Sequence, residues 1–102
     1  MLKYMLKGKE PVPVEDVIEW GRWFEDADRS VASTVLENGV RVSTVFLGLD
    51  HNFGSGEPVL FETMIFGGKH DKYQERYATW GEAEAGHKQA VEFTHNKSNR
   101  GG

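Results

Sequence analysis

The sequence predicts an α+β domain, in which two helices pack on a small antiparallel sheet of three to five strands. An Asn38-Gly39 pair lies between two β-prone segments, which is a strong hairpin signal. Apolar residues occupy both sides of a predicted strand at Val59–Phe66. Apolar residues at helical spacing mark two further segments, Val14–Asp26 and Trp80–Phe93.

Length and composition narrow the class of protein. A chain of 102 residues accommodates one domain, which we place at residues 1–94, with a flexible tail at residues 95–102. The chain has no cysteine, which excludes disulfides, zinc–thiolate sites and iron–sulfur clusters. A net charge of -4 disfavours double-stranded nucleic acid, and no apolar run reaches the roughly 20 residues of a membrane helix. We therefore expect a cytoplasmic protein without a membrane or duplex partner.

The first third of the chain predicts an extended segment followed by a helix. Lys3–Leu6 is expected to form a short strand or an ordered arm, and Pro11 and Pro13 favour an extended backbone after it. The helix is expected from about Val14 to Asp26, with acidic residues in its first turn. Its buried stripe is predicted to contain Val17, Ile18, Trp20, Gly21, Phe24 and Ala27.

A β-hairpin is predicted around Asn38-Gly39. A two-residue turn of type I′ pairs Glu37 with Val40 and therefore Val35 with Val42. In that register one face of the hairpin is the predicted core. It consists of Val31, Ser33, Val35, Val42, Thr44 and Phe46.

The second half predicts a central strand, an edge strand and a helix. Val59–Phe66 is expected at the centre of the sheet and Tyr73–Ala78 at its edge. Thr79 and Glu82 have the spacing of a capping box, so a helix begins there. Its apolar stripe is predicted to be Ala83, His87, Ala90, Val91 and Thr94, with Gly86 allowing a close approach to the sheet.

Two short helices do not readily cover both faces of a strand as apolar as Val59–Phe66. The uncovered face would then need a second copy of the chain. The sequence therefore predicts a homo-oligomer, specifically a dimer.

Three blocks of the chain resemble a family of small uncharacterised proteins encoded by bacteriophages and prophages. They are PVPVEDVIEWGRWFEDADRSVA, VSTVFLGLDHNFGSGEPVLFETMIFGG and RYATWGEAEAGHKQAV. The resemblance carries no activity to any residue. It implies an accessory protein expressed in the cytoplasm of an infected bacterium.

The loop between the two best-marked strands contains the first candidate site. His51 there has the chemistry of a general base or metal ligand, with Asp50 beside it. Alternatively, Asp50 and Asn52 bond to their own backbone and shape the turn, which we favour. Gly54 and Gly56 fit turn formation better than phosphate binding, because no phosphate-loop motif follows them.

Glu62 and an aromatic–arginine group are the other candidates. Glu62 interrupts an apolar strand, and its carboxylate needs a partner such as Arg41, Arg76 or Lys88 if it is buried. Aromatic side chains beside an arginine can stack on a base, although they more often serve a core or an interface. This group consists of Tyr73, Arg76, Tyr77 and Trp80.

No catalytic signature is present, and the histidines lack a metal-binding spacing, so no metal or other cofactor is predicted. We expect a non-enzymatic protein that binds a host protein or a small ligand such as a nucleotide. The predicted ligand-binding residues are His51, Asn52, Glu62, Tyr73, Arg76, Tyr77 and Trp80. One alternative is a small metal-dependent hydrolase that uses Asp50, His51 and Glu62, and another is a virion or assembly component.

Overall fold

A computed structural model describes the backbone of residues 2–52 and 56–100, and the side chains of residues 2–52 and 56–95. The strands are β1 (Lys3–Lys7), β2 (Glu10–Val14), β3 (Ser30–Val35), β4 (Arg41–Phe46), β5 (Phe61–Phe66) and β6 (Gln74–Tyr77). The helices are α1 (Val17–Asp26) and α2 (Trp80–Arg100). The predicted α+β class is confirmed.

The strands form two antiparallel sheets. β1 pairs with β2, and the other four lie in the order β3-β4-β5-β6. The larger sheet is a simple succession of neighbouring strands, with β5 inside it and β6 at one edge, as predicted. The small sheet was not predicted, because prolines in a strand remove ladder donors and Glu10–Val14 contains two of them.

Helix α2 packs across all four strands of the larger sheet, whereas α1 packs on β1 and β2. We call the sheet face beneath α2 the covered face and its opposite the open face. On the covered face, Phe61, Thr63 and Ile65 of β5 are fully buried. On the open face, Glu62 is buried, Met64 is half-buried and Phe66 is 39% exposed.

The predicted register of the β3–β4 hairpin is wrong by one residue. Val35 pairs with Arg41 and Thr34 pairs with Val42, so the loop has three residues, Glu37 to Gly39. The shift places Val35 on the open face, where it is 68% exposed, and brings Ala32 and Thr34 to the covered face. Val42, Thr44 and Phe46 are buried as predicted. The error therefore lies in β3 and not in β4, and Val31 still packs against the core beside a register irregularity.

The hairpin loop accounts for the shifted register. Leu36 N–H donates to Val40 O at 2.8 Å, which closes the hairpin outside the predicted turn. Asn38 Oδ1 accepts from Val40 N–H at 3.1 Å, and Gly39 has φ 85°. A three-residue loop of this kind needs its glycine in the left-handed region, so Asn-Gly indicated the hairpin without fixing its length.

Helix α1 begins later than predicted, at Val17 instead of Val14. Asp16 caps it, because its Oδ1 accepts from the N–H groups of Ile18 and Glu19 at 2.9 and 3.2 Å. The predicted stripe is partly wrong, since Val17 and Ile18 are 60% and 64% exposed.

Three aromatic side chains hold α1 in place instead. Trp20 donates from Nε1 to Tyr4 O at 3.1 Å, and the ring of Trp23 meets that of Phe46 edge-on at 5.9 Å. Phe24 lies over Gly48, where an added Cβ would come within 2.9 Å of its ring. This packing joins the small sheet to the end of β4.

Helix α2 carries the predicted stripe, because Ala83, His87, Ala90 and Thr94 are all buried. Its backbone is helical to Arg100, beyond the predicted end at Phe93. The domain boundary at residue 94 and the flexible tail at 95–102 stay predictions, and residues 101–102 lie outside the described residues. Within the described ranges, no helix is long and apolar enough to cross a membrane.

Candidate functional site

Two adjoining grooves lie where α2 begins, and together we call them the trough. The first groove, of about 520 Å³, lies between the β1–β2 turn, the loop before β5 and the first turn of α2. The second, of about 490 Å³, runs between the end of β6 and the next turns of α2. Glu57 and Ala78 line both grooves, so the two lie side by side.

The capping box at the start of α2 positions one wall of the first groove. Thr79 Oγ1 accepts from Glu82 N–H at 3.1 Å, and Glu82 Oε1 accepts from the N–H groups of Ala78 and Thr79 at 3.1 and 3.2 Å. This reciprocal arrangement is the predicted one, and it satisfies N–H groups that a helix start leaves free.

Trp80 is the largest side chain of the groove. Its ring meets Phe61 edge-on at 6.2 Å, and Lys9 Nζ lies 5.7 Å from the ring centroid. Its indole Nε1 is shielded from solvent and has no hydrogen-bond partner among the described residues. An unpaired buried donor of this kind costs on the order of 1–3 kcal/mol. Lys9 therefore already lies over the Trp80 ring, and the indole N–H is a buried donor that a bound acceptor could satisfy.

The first groove combines an apolar floor with an acidic rim. The floor contains Tyr4, Pro11, Pro58, Leu60 and Trp80. The rim contains the exposed carboxylates Glu10, Glu57 and Glu84 and a single cation, Lys9. This balance of charge disfavours a phosphate-bearing ligand and favours a ligand with positive charge.

In the second groove, Tyr77 and α2 are in close contact. A Cβ added at Gly86 would lie 2.1 Å from the Tyr77 hydroxyl oxygen, so only glycine fits there. Burial raises the pKa of the Tyr77 hydroxyl above its ordinary value of 10; Tyr73 and Glu75 raise it slightly further, and Thr63 partly opposes them. Tyr77 is therefore protonated at neutral pH and acts here as a packing residue.

Glu62 finds its partner on the open face. Its Oε2 accepts from Arg76 Nε at 2.9 Å and from the Gln74 side-chain amide. Both partners come from β6, where Arg76 stands directly opposite Glu62 in the register. Arg76 was one of the partners proposed from sequence, and the pairing gives this strand carboxylate a structural role.

The Asp50-His51-Asn52 segment shapes the loop. Asp50 Oδ1 accepts from Asn52 N–H at 2.8 Å and from Val59 N–H at 3.0 Å. His51 N–H donates to Val59 O at 3.0 Å, and Asn52 Nδ2 donates to Glu57 O at 2.8 Å. These bonds close the loop at the rim of the trough. Residues 53–55, including Gly54, lie outside the described residues.

The remaining candidates lie in different places. Tyr73 packs on Phe93 with centroids 6.1 Å apart, whereas Arg76 and Tyr77 line the second groove and Trp80 lines the first. The His70 and Phe93 rings are in tilted contact with centroids 4.3 Å apart. His87 lies on α2 and is buried against the sheet. Among the described residues, no three His, Asp or Glu side chains are grouped so that they could hold a metal ion.

Sequence reasoning found Trp80 but missed the opposite wall of the groove. Lys9 lies in the β1–β2 turn and Glu10 and Pro11 begin β2, and all three lie far from Trp80 in the chain. The positive φ of Gly8, 62°, marks that turn, and a Gly-Lys pair before a proline was its only signal. Nothing in those residues indicated which part of the chain they would face.

Comparison of this chain with protein families, with curated proteins and with solved structures gives no match.

Proposed function

We propose that this protein is a non-enzymatic binding protein whose trough holds a segment of a partner protein. The observation that carries the proposal is the first groove, in which an apolar floor with a half-buried tryptophan is bordered by three carboxylates and one lysine. A segment with an apolar or aromatic side chain beside Lys or Arg is complementary to it. A nucleotide, the other ligand class considered from sequence, would bring its phosphates against Glu10, Glu57 and Glu84.

The second groove gives an extended partner segment room to continue beyond the first groove. Arg76 and Ala78 line it on the β6 side. On the α2 side, Ala85 and Gly86 have small side chains that leave the groove open. Edge strands offer unpaired backbone groups to an extended segment. A bound peptide would place its apolar anchor near Trp80 and continue past Ala78 toward β6.

A displayed peptide library selected on the immobilised protein tests this function. We expect enriched sequences to combine an aromatic or aliphatic residue with Lys or Arg. Synthetic versions of these peptides should bind the Trp80→Ala variant about 30-fold more weakly than the wild type, since a central tryptophan contributes about 2 kcal/mol in such sites. Glu84→Lys should weaken binding without removing packed side chains, and Glu92→Lys, which lies outside the trough on α2, is the matched control.

Three outcomes would contradict the proposal. One is selection of acidic peptides or of none. Another is equal affinity of the Glu84→Lys and Glu92→Lys variants for the selected peptides. The third is calorimetric binding of a nucleoside triphosphate that Trp80→Ala abolishes, which would favour the small-ligand alternative.

We further propose that the protein acts as an accessory protein of a bacteriophage, in the cytoplasm of the infected host, and that it forms a homo-oligomer. The resemblance of three segments of the sequence to small bacteriophage and prophage proteins supports the phage context. The exposure of Val35 and Phe66 on the open face supports the homo-oligomer, because such side chains gain stability when a second copy covers them. Light scattering at micromolar concentration tests the oligomer directly, and a stable monomer would refute it.

A further inference from the structure

The outer edge of β3 has backbone groups that no described strand uses. β3 is the end strand of the larger sheet, so only its β4 side is paired. Bonded and non-bonded pairs alternate along antiparallel strands. Since Leu36 N–H bonds to Val40 O, the pairs Thr34–Val42 and Ala32–Thr44 are the bonded ones. The N–H and C=O groups of Ser33 and Val35 therefore point outward.

The composition of β3 leaves this edge unprotected. Its six residues, SVASTV, include no charged residue and no proline. Native sheets protect their edges with such residues, and a β-prone edge without them is a template for another strand. A register irregularity near Val31 shortens the open part, but Ser33 to Val35 stay regular.

We propose that a second copy of the chain pairs with this edge, β3 against β3 in antiparallel fashion across a two-fold axis at Thr34. The proposal rests on the homo-oligomer proposed above and names its interface. In this register Ser33 of each copy lies opposite Val35 of the other, so both outward residues exchange backbone hydrogen bonds. Two four-stranded sheets then join into one sheet of eight strands.

The side chains are compatible with self-pairing. Thr34 faces its own copy across the axis, while its hydroxyl stays bonded to His87 Nε2 at 2.8 Å on the covered face. Ala32 lies opposite Leu36 of the second copy, which adds an apolar pair beside α2. Val35, 68% exposed in the single chain, gains a neighbour on the open face.

The other edge of the sheet does not suit self-pairing. β6 has the sequence QERY, and a two-fold axis at Glu75 or Arg76 would set like charges opposite each other. The same edge also borders the trough, where we place a partner segment. The two edges thus fit two different strands, a second copy at β3 and a foreign segment at β6.

Amide hydrogen exchange on the intact chain tests the interface. We expect the amides of Ser33 and Val35 to be slowed by about 100-fold or more relative to an unstructured peptide at concentrations where the chain is dimeric. Dilution to the monomer should release these two amides while Thr34, bonded to β4, stays protected. Rapid exchange of Ser33 and Val35 in the dimer would overturn the β3 interface.

Variants separate failure of the interface from failure of the oligomer. Val35→Pro removes an outward donor without removing a β3–β4 bond. Gln74→Pro makes the same backbone change at the β6 edge and also removes the side-chain bond to Glu62, which Arg76 still holds. The doubly substituted Ser33→Lys, Val35→Lys chain keeps every backbone donor and adds charge instead. Sedimentation should show monomers for both β3 variants and dimers for Gln74→Pro.

A dimer that persists in both β3 variants, with unchanged circular dichroism, would overturn the interface and leave the homo-oligomer standing. A monomeric wild-type chain would overturn both. Peptide binding in the trough is measured separately and does not depend on either result.

Discussion

The two faces of the larger sheet differ in the burial and hydrogen bonding of their polar side chains. On the covered face, His87 and three threonines form a buried hydrogen-bonded network beneath α2. On the open face, Glu62 and Arg76 form an ion pair in which the Arg76 side chain is 42% exposed. A buried network must be complete to be tolerated, whereas an exposed pair contributes little in either direction. We therefore expect equal chemical changes to have unequal effects on the two faces.

The covered-face network is complete in two tautomers of His87. Nε2 lies 2.8 Å from Thr34 Oγ1 and Nδ1 lies 2.7 Å from Thr44 Oγ1, which in turn lies 2.5 Å from Thr63 Oγ1. Each hydroxyl both donates and accepts, so either ring nitrogen can carry the proton. Burial lowers the pKa of His87 below its ordinary value of 6.5 and keeps the ring neutral.

The largest expected effect is that of Gly86→Ala. The new Cβ would lie 2.1 to 2.4 Å from the hydroxyl oxygen and two ring carbons of Tyr77, and a buried ring end cannot yield without moving α2 off the sheet. Overpacking of this kind costs about 2 kcal/mol. Thermal or urea unfolding measures the loss in the free energy of unfolding.

Gly21→Ala is the matched control for Gly86→Ala. An added Cβ at Gly21 meets nothing within 4 Å, so this change should stabilise α1 by about 0.5–1 kcal/mol. If both changes stabilise the protein equally, the close contact between Tyr77 and α2 does not exist in solution.

The second prediction concerns pH. Because the pKa of His87 is lower in the folded than in the unfolded protein, the unfolded chain binds the extra proton as the pH falls below about 6.5. Stability from this group is fully present above that value. It should fall by up to about 1.4 kcal/mol per pH unit until the folded pKa is reached.

Unfolding curves of the wild type and His87→Gln between pH 7.5 and about 5 check this prediction. The substitution removes the titration of His87 and leaves His51, His70 and His95 in both proteins. The wild type should therefore lose more stability than the variant over this range. Parallel pH dependences would show that His87 is exposed to solvent in the folded state.

The smallest effect is expected for Arg76→Ala on the open face. Gln74 still donates to the buried Glu62 carboxylate after the change, and Arg76 is 42% exposed, so we expect the pair to contribute near the upper end of the roughly 0.2–1 kcal/mol of surface ion pairs. The loss in the free energy of unfolding should therefore stay below about 1 kcal/mol and shrink further in high salt. Arg22→Ala, an exposed position on α1, provides the baseline.

A loss above about 2 kcal/mol for Arg76→Ala would show that the buried Glu62 carboxylate depends on Arg76 for charge compensation. The ion pair would then behave as a buried pair. That result would erase the difference between the two faces.

Local signals in the sequence predicted several elements correctly. The capping box located the start of α2, and the spacing of Ala83, His87 and Ala90 identified its buried side. These features depend on residues three and four apart, whose contacts form within a single helix. The central position of β5 also followed from its apolar residues, since a strand covered on both sides is more uniformly apolar than an edge strand.

The register of the hairpin shows where local signals end. Asn38-Gly39 permits both a two-residue and a three-residue loop, because each places glycine in the left-handed region. The choice decides whether Val35 or Thr34 faces α2. His87, far along the chain, bonds to Thr34, so packing of α2 on the sheet accompanies the observed register.

The sequence by itself determined the class of the fold, the positions of most elements and the buried side of α2, because each depends on neighbouring residues. Only the tertiary structure decided the register of β3, the pairing of Glu62 with Arg76 and the trough itself. The trough forms because Lys9, Glu57 and Trp80 come together from three separate segments. No local pattern encodes such a meeting, since it follows from how the small sheet, the loop before β5 and α2 pack against one another.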